Sequence, residues 1–389
     1  MSPNSSSLPF SSCSDRTAHL PLSVRLQYVL SARKLRVVFI VGGFVLLVGI
    51  FVRFDEHIVR LPSQFRPYTK HHASSAKEPV RCPPPATGDN IVWADFAYVQ
   101  YVTNSNYLCN SLMIFEALRR YGTKADLLML YPRGWRVPKD VLDDDATPIS
   151  YEGGLLAQAR DEYHVHLNPI QVKTYVNEQD ATWQDSYTKL LAWNQTQYKR
   201  VISLDSDATL LDHMDELFLL PAAPVAMPRA YWLERFFLSS QLVVIEPSED
   251  SWKRVQSAME HHESHDYDMD ILNKVFGAST LVIPHRKYDL LTGEFRSDVD
   301  KHEAYLGSPT EIWNARDVLA EAKFVHFSDW PLPKPWLNAT EEQIRKQQPS
   351  CKVVSEGEMD CTDREVWLEL RKDFAERRLR VCGHAYDGM

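Results

Sequence analysis

The chain has 389 residues, 44% of them hydrophobic and 24% charged, with a formal net charge of −9. Such a composition is globular, and the length allows one large or two ordinary domains with a substantial core. The acidic balance, with no extended Lys/Arg block, argues against a nucleic-acid binder. Only 14 glycines are present and no GxSxG, P-loop or GxGxxG pattern occurs, so serine hydrolases, kinases and dinucleotide enzymes have no support.

Residues 1–36 open with a Ser/Pro-rich stretch that has no hydrophobic period, and they read as a disordered cytosolic tail. The run VVFIVGGFVLLVGIFV, Val37 to Val52, carries no charged or polar side chain, and Arg25, Arg33, Lys34 and Arg36 precede it. It is shorter than the ~20 residues of a full bilayer span. Three readings compete: a buried core helix, a cleaved signal peptide and a signal anchor. A helix apolar on every face is rarely a core element so near the N-terminus, and GIFVRFD offers no small-residue cleavage site. A single-pass anchor at 37–53 with its basic flank in the cytosol fits best. The short span suits a thin membrane of the early secretory pathway.

Everything beyond the anchor is then expected to be lumenal. Cys82, Cys109, Cys351, Cys361 and Cys382 would lie in an oxidising compartment, and their odd number leaves at least one unpaired within the chain. A Cys351–Cys361 bridge is one pairing open to the C-terminal group. No CxxC pair favours zinc. Sequons at Asn194 and Asn338 permit glycosylation.

Residues 54–88 hold QFRP, HHASSAKEP and CPPPATG, an extended stem by composition. The main domain is assigned to 89–345 and a C-terminal extension to 346–389. Within the domain, NIVWADFAYVQYVTN reads as strand-rich. YLCNSLMIFEALRRYG follows as a helix, with Leu112, Phe115 and Leu118 on one face and Gly122 as its stop. ADLLMLYP is a strand, WQDSYTKLLAWNQTQY a helix and KRVISLD a strand. SSQLVVIEPS is another strand, DSWKRVQSAMEHH a helix and AKFVHFS a late strand. Such alternation predicts an α/β fold with a mainly parallel sheet, whose ligands collect at strand carboxyl ends.

Asp205 and Asp207 stand at one such end, in VISLDSDATLLD. Residues i and i+2 of an extended segment point the same way, so both carboxylates can approach one cation; the alternative is a turn or helix cap. In VHFSDWPLPKPW, His326 follows an apolar strand and Lys334 sits between two prolines. The imidazole suits an oxygen-rich manganese site and the ammonium a phosphate, while an ordinary core or surface role stays open for both. In YDMDILNK, Asp268 and Asp270 either cap a helix or face a sugar. The clusters His261, His262 and His265, and His164 with His166, read as solvated surface.

Taken together in chain order, five segments resemble family-eight glycosyltransferases, the glycogenin-like group, over roughly 91–340. They are AYVQYVTNSNYLCNSLMIFEALRRYG, YTKLLAWNQTQYKRVISLDSDATLLDHMDELF, QLVVIEPS, DMDILN and VHFSDWPLPKPW. The resemblance implies a Rossmann-like, GT-A-type nucleotide-diphospho-sugar transferase fold with a mainly parallel mixed sheet. It also implies retaining transfer from a UDP-sugar donor, with Mn2+ on the diphosphate. Carried over by position, Asp205, Asp207 and His326 would bind the metal, and Ser206 lies between the two acids. Val102, Thr103, Asn104 and Tyr107 would line the uridine pocket. Lys189 and Lys334 would face the donor phosphates or sugar, and Asp268 the reaction centre.

Two positions depart from the family pattern. Ser239, Ser240 and Gln241 stand where Asn-Ser-Gly is common, and Asp268-Met269 replaces Asp-Gln, with Asp270 next along as a substitute acid. The interval from His326 to Lys334 is also longer than in glycogenin. An anchored, stem-bearing relative is similar to the fungal Golgi N-acetylglucosaminyltransferases of this family. That likeness implies a type II Golgi membrane enzyme and a glycan or glycoprotein acceptor.

Overall fold

A computed structural model of the protein describes residues 91–138, 148–173, 186–263, 266–298, 301–355 and 357–386. The tail, anchor and stem assigned to 1–88, with Cys82, lie outside them. Among the described residues no helix is long and apolar enough to cross a membrane.

In chain order the elements are β1 (Phe96–Tyr101), α1 (Ser105–Arg120), β2 (Asp126–Pro132), α2 (Tyr151–Tyr163), β3 (Val165–Ile170), β4 (Arg200–Leu204), β5 (Ala208–Leu210), β6 (Val225–Pro228) and β7 (Leu242–Ile245). Then come α3 (Glu249–Glu260), α4 (Asp268–Phe276), β8 (Leu281–Ile283), β9 (Leu290–Leu291), β10 (Phe324–His326) and α5 (Thr362–Cys382). The central sheet has seven strands in the order β3-β2-β1-β4-β7-β6-β8. Only β7 runs against its neighbours β4 and β6, so the sheet is mixed and mainly parallel, as expected.

Strands buried on both faces explain the continuous apolar runs. In β1, Tyr98 joins the α1 side of the core, while Ala97 and Val99 join the other, with Trp193, Val255, Ile271 and Phe276. The predicted α1 face is confirmed: Leu112, Phe115 and Leu118 are fully buried. Gly122 ends the helix at φ +79°, a backbone region that costs glycine little.

Two expectations need correction. The segment read as a helix after residue 183 is a 3-10 helix over Ser186–Asn194. The late strand β10 does not enter the central sheet; it pairs antiparallel with β5 and parallel with β9 in a small second sheet. Non-local pairing, invisible in a local pattern, places it there.

The C-terminal extension contributes to the same core. Trp367 and Phe374 of α5 are fully buried, and Cys382 is bonded to Cys109 of α1. Cys351 is bonded to Cys361. Both sequon asparagines, Asn194 and Asn338, are exposed.

Candidate functional site

The chain runs outward from β1 through β2 to β3 and then returns to the other side of β1 as β4, so the switch point lies between β1 and β4. Their carboxyl ends deliver two segments side by side: Thr103 and Asn104 leading into the first turn of α1, with Tyr107, after β1, and Asp205 to Asp207 after β4. Buried Gln100 fastens the two ends. Its Nε2 donates to the Leu204 carbonyl at 2.8 Å, and its Oε1 accepts from Ser111 Oγ at 2.9 Å.

The small second sheet brings the third component. His326 pairs with Ala208 in register, and the Phe327 N–H donates to the Asp207 carbonyl at 2.9 Å. A histidine more than a hundred residues downstream thereby meets the acids, its Nε2 lying 3.0 Å from Asp207 Oδ1. One ligand atom from each of Asp205, Asp207 and His326 lies within 4.8 Å of the others. Two carboxylates and an imidazole form a donor set that manganese accepts. His326 Nδ1 is buried without a hydrogen-bond partner. The residues fit a divalent cation.

The acids also have resident cations. Lys189, on the 3-10 helix and 2% exposed, places Nζ 2.6 Å from Asp205 Oδ1 and 3.2 Å from Asp268 Oδ2. The first contact is an ion pair rather than a well-aligned hydrogen bond. Lys334 Nζ donates to Asp207 Oδ2 at 2.6 Å and to the Phe327 carbonyl at 2.7 Å. Three carboxylates facing two ammonium groups leave a net negative charge at the strand ends.

Burial raises the Asp205 carboxyl above the usual range, because Lys189, which it shares with Asp268, does not offset the lost hydration. Burial acts in the same direction on Asp207. There His326 and Lys334 overcome it and hold the carboxyl well below the usual range. Burial lowers Lys189, but Asp205 and Asp268 outweigh it and lift the ammonium to about 12.

Asp268 opens α4 and accepts from Ser240 Oγ at 2.8 Å, so one of the departing serines holds this carboxylate in place. Gln241, another departure, accepts the Asp205 N–H through its carbonyl at 2.9 Å. Asp270 behaves differently. Its carboxylate accepts from the Tyr267 N–H at 3.2 Å, the capping role, so its expected part as a substitute reaction-centre acid finds no support in the geometry.

Asn104 and Tyr107 line a cavity of 640 Å³ together with His326, Lys334, Trp330 and Arg371. Asn104 Oδ1 also caps α1, accepting from the Asn106 and Tyr107 N–H groups. Thr103 is half-buried in the same loop, and Ser206 is buried between the acids. Val102 is a correction: its side chain is fully buried in the core, so it supports the loop from beneath and does not line the cavity.

Sequence reading missed Asp289. It is fully buried, neither carboxylate oxygen has a hydrogen-bond partner, and burial raises its pKa to about 8. After burial, the groups that act on it are the Ser239 hydroxyl, which lowers it, Asp205, which raises it, and Lys189, which lowers it. A lone Asp in KYDLL gives no sign of this. His261 is exposed and His262 half-buried at the end of α3, and His164 and His166 are exposed; His265 lies outside the described residues.

A mixed, mainly parallel α/β sheet with two carboxylates at its switch point, met there by an imidazole from a small second sheet, defines the class: a ligand-binding α/β protein with a site competent for a divalent cation. No family model matches the chain. Glucose N-acetyltransferase 1 of Aspergillus fumigatus is 43% identical over 310 residues, covering 76% of this chain and 78% of that protein. The protein of the same name from Gibberella zeae is 52% identical over 298 residues, 75% of this chain, and the match spans 63% of that relative's length. The chain belongs to the glucose N-acetyltransferase family. Among solved structures, a galactosyltransferase LgtC complexed with donor and acceptor sugar analogs aligns at a TM-score of 0.43 and 13% identity, over 72% of this chain and 95% of that one.

Proposed function

We propose that the protein is a manganese-dependent glycosyltransferase of GT-A type that moves a sugar, N-acetylglucosamine by our reading, from a UDP donor to a glycan or glycoprotein acceptor with retention. The observation that carries this is the convergence of Asp205, Asp207 and His326 beside Lys189, Lys334 and Asp268. A cluster of this charge and donor chemistry suits a diphosphate presented with a cation. The cation, when bound, supplies Lewis-acid stabilisation of charge on the departing diphosphate.

The chain's own residues supply the rest. Asp205, Asp207 and His326 hold the cation. Lys334, tethered to Asp207 on a loop with prolines on either side, stands where an ammonium can meet a phosphate oxygen. Lys189 fixes Asp205 and Asp268 in a common geometry, and Ser240 orients Asp268 toward the reacting sugar. Asn104 and Tyr107 border the nucleotide side of the cavity.

Our reading places the enzyme in the Golgi membrane as a single-pass type II protein with a lumenal catalytic domain. The apolar run at 37–52 with its basic flank supports this. So do the two disulfides, which suit an oxidising compartment, and the exposed sequons.

The test is a panel of UDP-sugars, with acetyl-CoA as a control donor, incubated with the protein with and without manganese. UDP release that depends on manganese and on both acids is expected. Release that persists unchanged in Asp205→Ala and Asp207→Ala would sink the mechanism.

A further inference from the structure

Trp330 is 87% exposed, and among the described residues no ring or cation is stacked on it. It lines the same 640 Å³ cavity as His326 and Lys334. An indole left in water forfeits the burial that most tryptophans obtain. One exposed side chain would mean little if its backbone were loose, but this backbone is fixed on both sides.

Preceding it, Asp329 is 4% exposed, and its Oδ1 accepts from Trp367 Nε1 of α5 at 2.8 Å. The Asp329 carbonyl accepts from Arg296 at 3.0 Å and from the Leu332 N–H at 2.9 Å. The Ser328 N–H donates to Thr292 Oγ1 at 2.9 Å. On the far side Leu332 is buried, and Arg371 of α5 donates to the Pro333 carbonyl at 3.3 Å. The fold therefore presents a flat aromatic face on a rigid mount at the mouth of the cavity.

Beyond Asn104 and Tyr107, which border the nucleotide side, the cavity offers Asn106 and Arg371 as polar groups and Trp336 as an apolar wall. A flat aromatic surface ringed by amide and guanidinium groups matches a pyranose ring, which has apolar C–H faces and a polar equator of hydroxyls. The carboxylate–lysine cluster already occupies the strand-end side, where the charged donor belongs. Trp330 lines the same cavity but is 87% exposed, so its face stays open to a ligand reaching in from solvent.

We infer that Trp330 is the stacking platform of a subsite for a neutral hexose ring of the acceptor glycan. This rests on the transfer reading only for the word acceptor; the saccharide site itself does not need it. The family pattern that identified His326 and Lys334 says nothing of this residue, because its exposure and rigid mounting are properties of the tertiary structure.

The test uses the full-length protein and its Trp330→Ala and Trp330→Phe variants. Because the side chain is exposed, both are expected to fold, with unchanged melting temperatures. Calorimetric titration with maltotriose, lactose and mannobiose, used as neutral saccharide probes, is expected to show binding of at least one by the native protein. Affinity for that probe should fall about tenfold in Trp330→Ala, with partial retention in Trp330→Phe. UDP affinity and manganese-dependent donor hydrolysis should stay within about twofold of native.

A parallel loss of UDP affinity would assign the indole to the nucleotide and overturn the proposal. Unchanged saccharide affinity, saccharide binding by no form of the protein, or a loss confined to binding of phospholipid vesicles would overturn it too. A native protein that binds saccharide through Trp330 yet has no UDP affinity would overturn the transfer reading alone.

Discussion

Asp289→Asn isolates one buried carboxyl whose neighbours do not offset its burial. In the folded protein burial raises this group to about 8, with the nearby Ser239 hydroxyl and Lys189 too weak to reverse it. In the unfolded chain it titrates near the ordinary aspartate value of about 3.9. Between pH 5 and pH 7 the folded state therefore holds about one proton more than the unfolded state at this site. Stability must then fall as pH rises, by about 1.4 kcal/mol per pH unit, or about 3 kcal/mol across the two units. Asparagine cannot titrate. Every other group is common to both proteins, so the difference between their unfolding free energies isolates Asp289. Urea unfolding of the native and variant proteins at pH 5, 6 and 7 measures it. The variant should gain on the native protein with that slope, whatever fixed cost its amide adds, and the gain should level off above pH 8. A difference independent of pH would refute the burial argument, and a slope of opposite sign would mean that the carboxylate is ionised and paired.

Lys189→Met leaves Asp205 and Asp268 buried without their shared cation. The expected loss is about 3 kcal/mol or more by urea unfolding, larger at pH 8 than at pH 5 because protonation relieves Asp205, whose carboxyl burial already raises to about 6. Cys382→Ser opens the bond that closes a sequence separation of 273 residues. It should lower stability by about 3 kcal/mol or more, read as an earlier urea midpoint at an unchanged slope. Asp207→Asn should reduce manganese-dependent UDP release by about a hundredfold, measured at saturating UDP-sugar, and an unreduced rate would remove Asp207 from the metal site.

Hydrophobic patterning, which is local, made most of the central sheet and α1 readable: β1, β2, β4 and β7 are short apolar runs, and Leu112, Phe115 and Leu118 share one helical face. The acids were legible for the same reason, since Asp205 and Asp207 end an apolar strand. Helix type was less so. The segment around Lys189 has an apolar content that suits either helix, and in the structure it is a 3-10 helix buried over Ser186–Trp193. Asp268 and Asp270 look equivalent in YDMDILNK, yet one turns to Lys189 and Ser240 while the other caps α4.

By itself the sequence determined an α/β sheet with paired acids at a strand end, a distant histidine and lysine, and cysteines available for bridging. Only the tertiary structure decided which of these meet. The pairing of β10 with β5 sets His326 against Asp207, the 3-10 helix lowers Lys189 between Asp205 and Asp268, and α5 is bonded back onto α1. These contacts span tens to hundreds of residues. They follow from which surfaces bury one another, a quantity that periodicity along the chain does not contain.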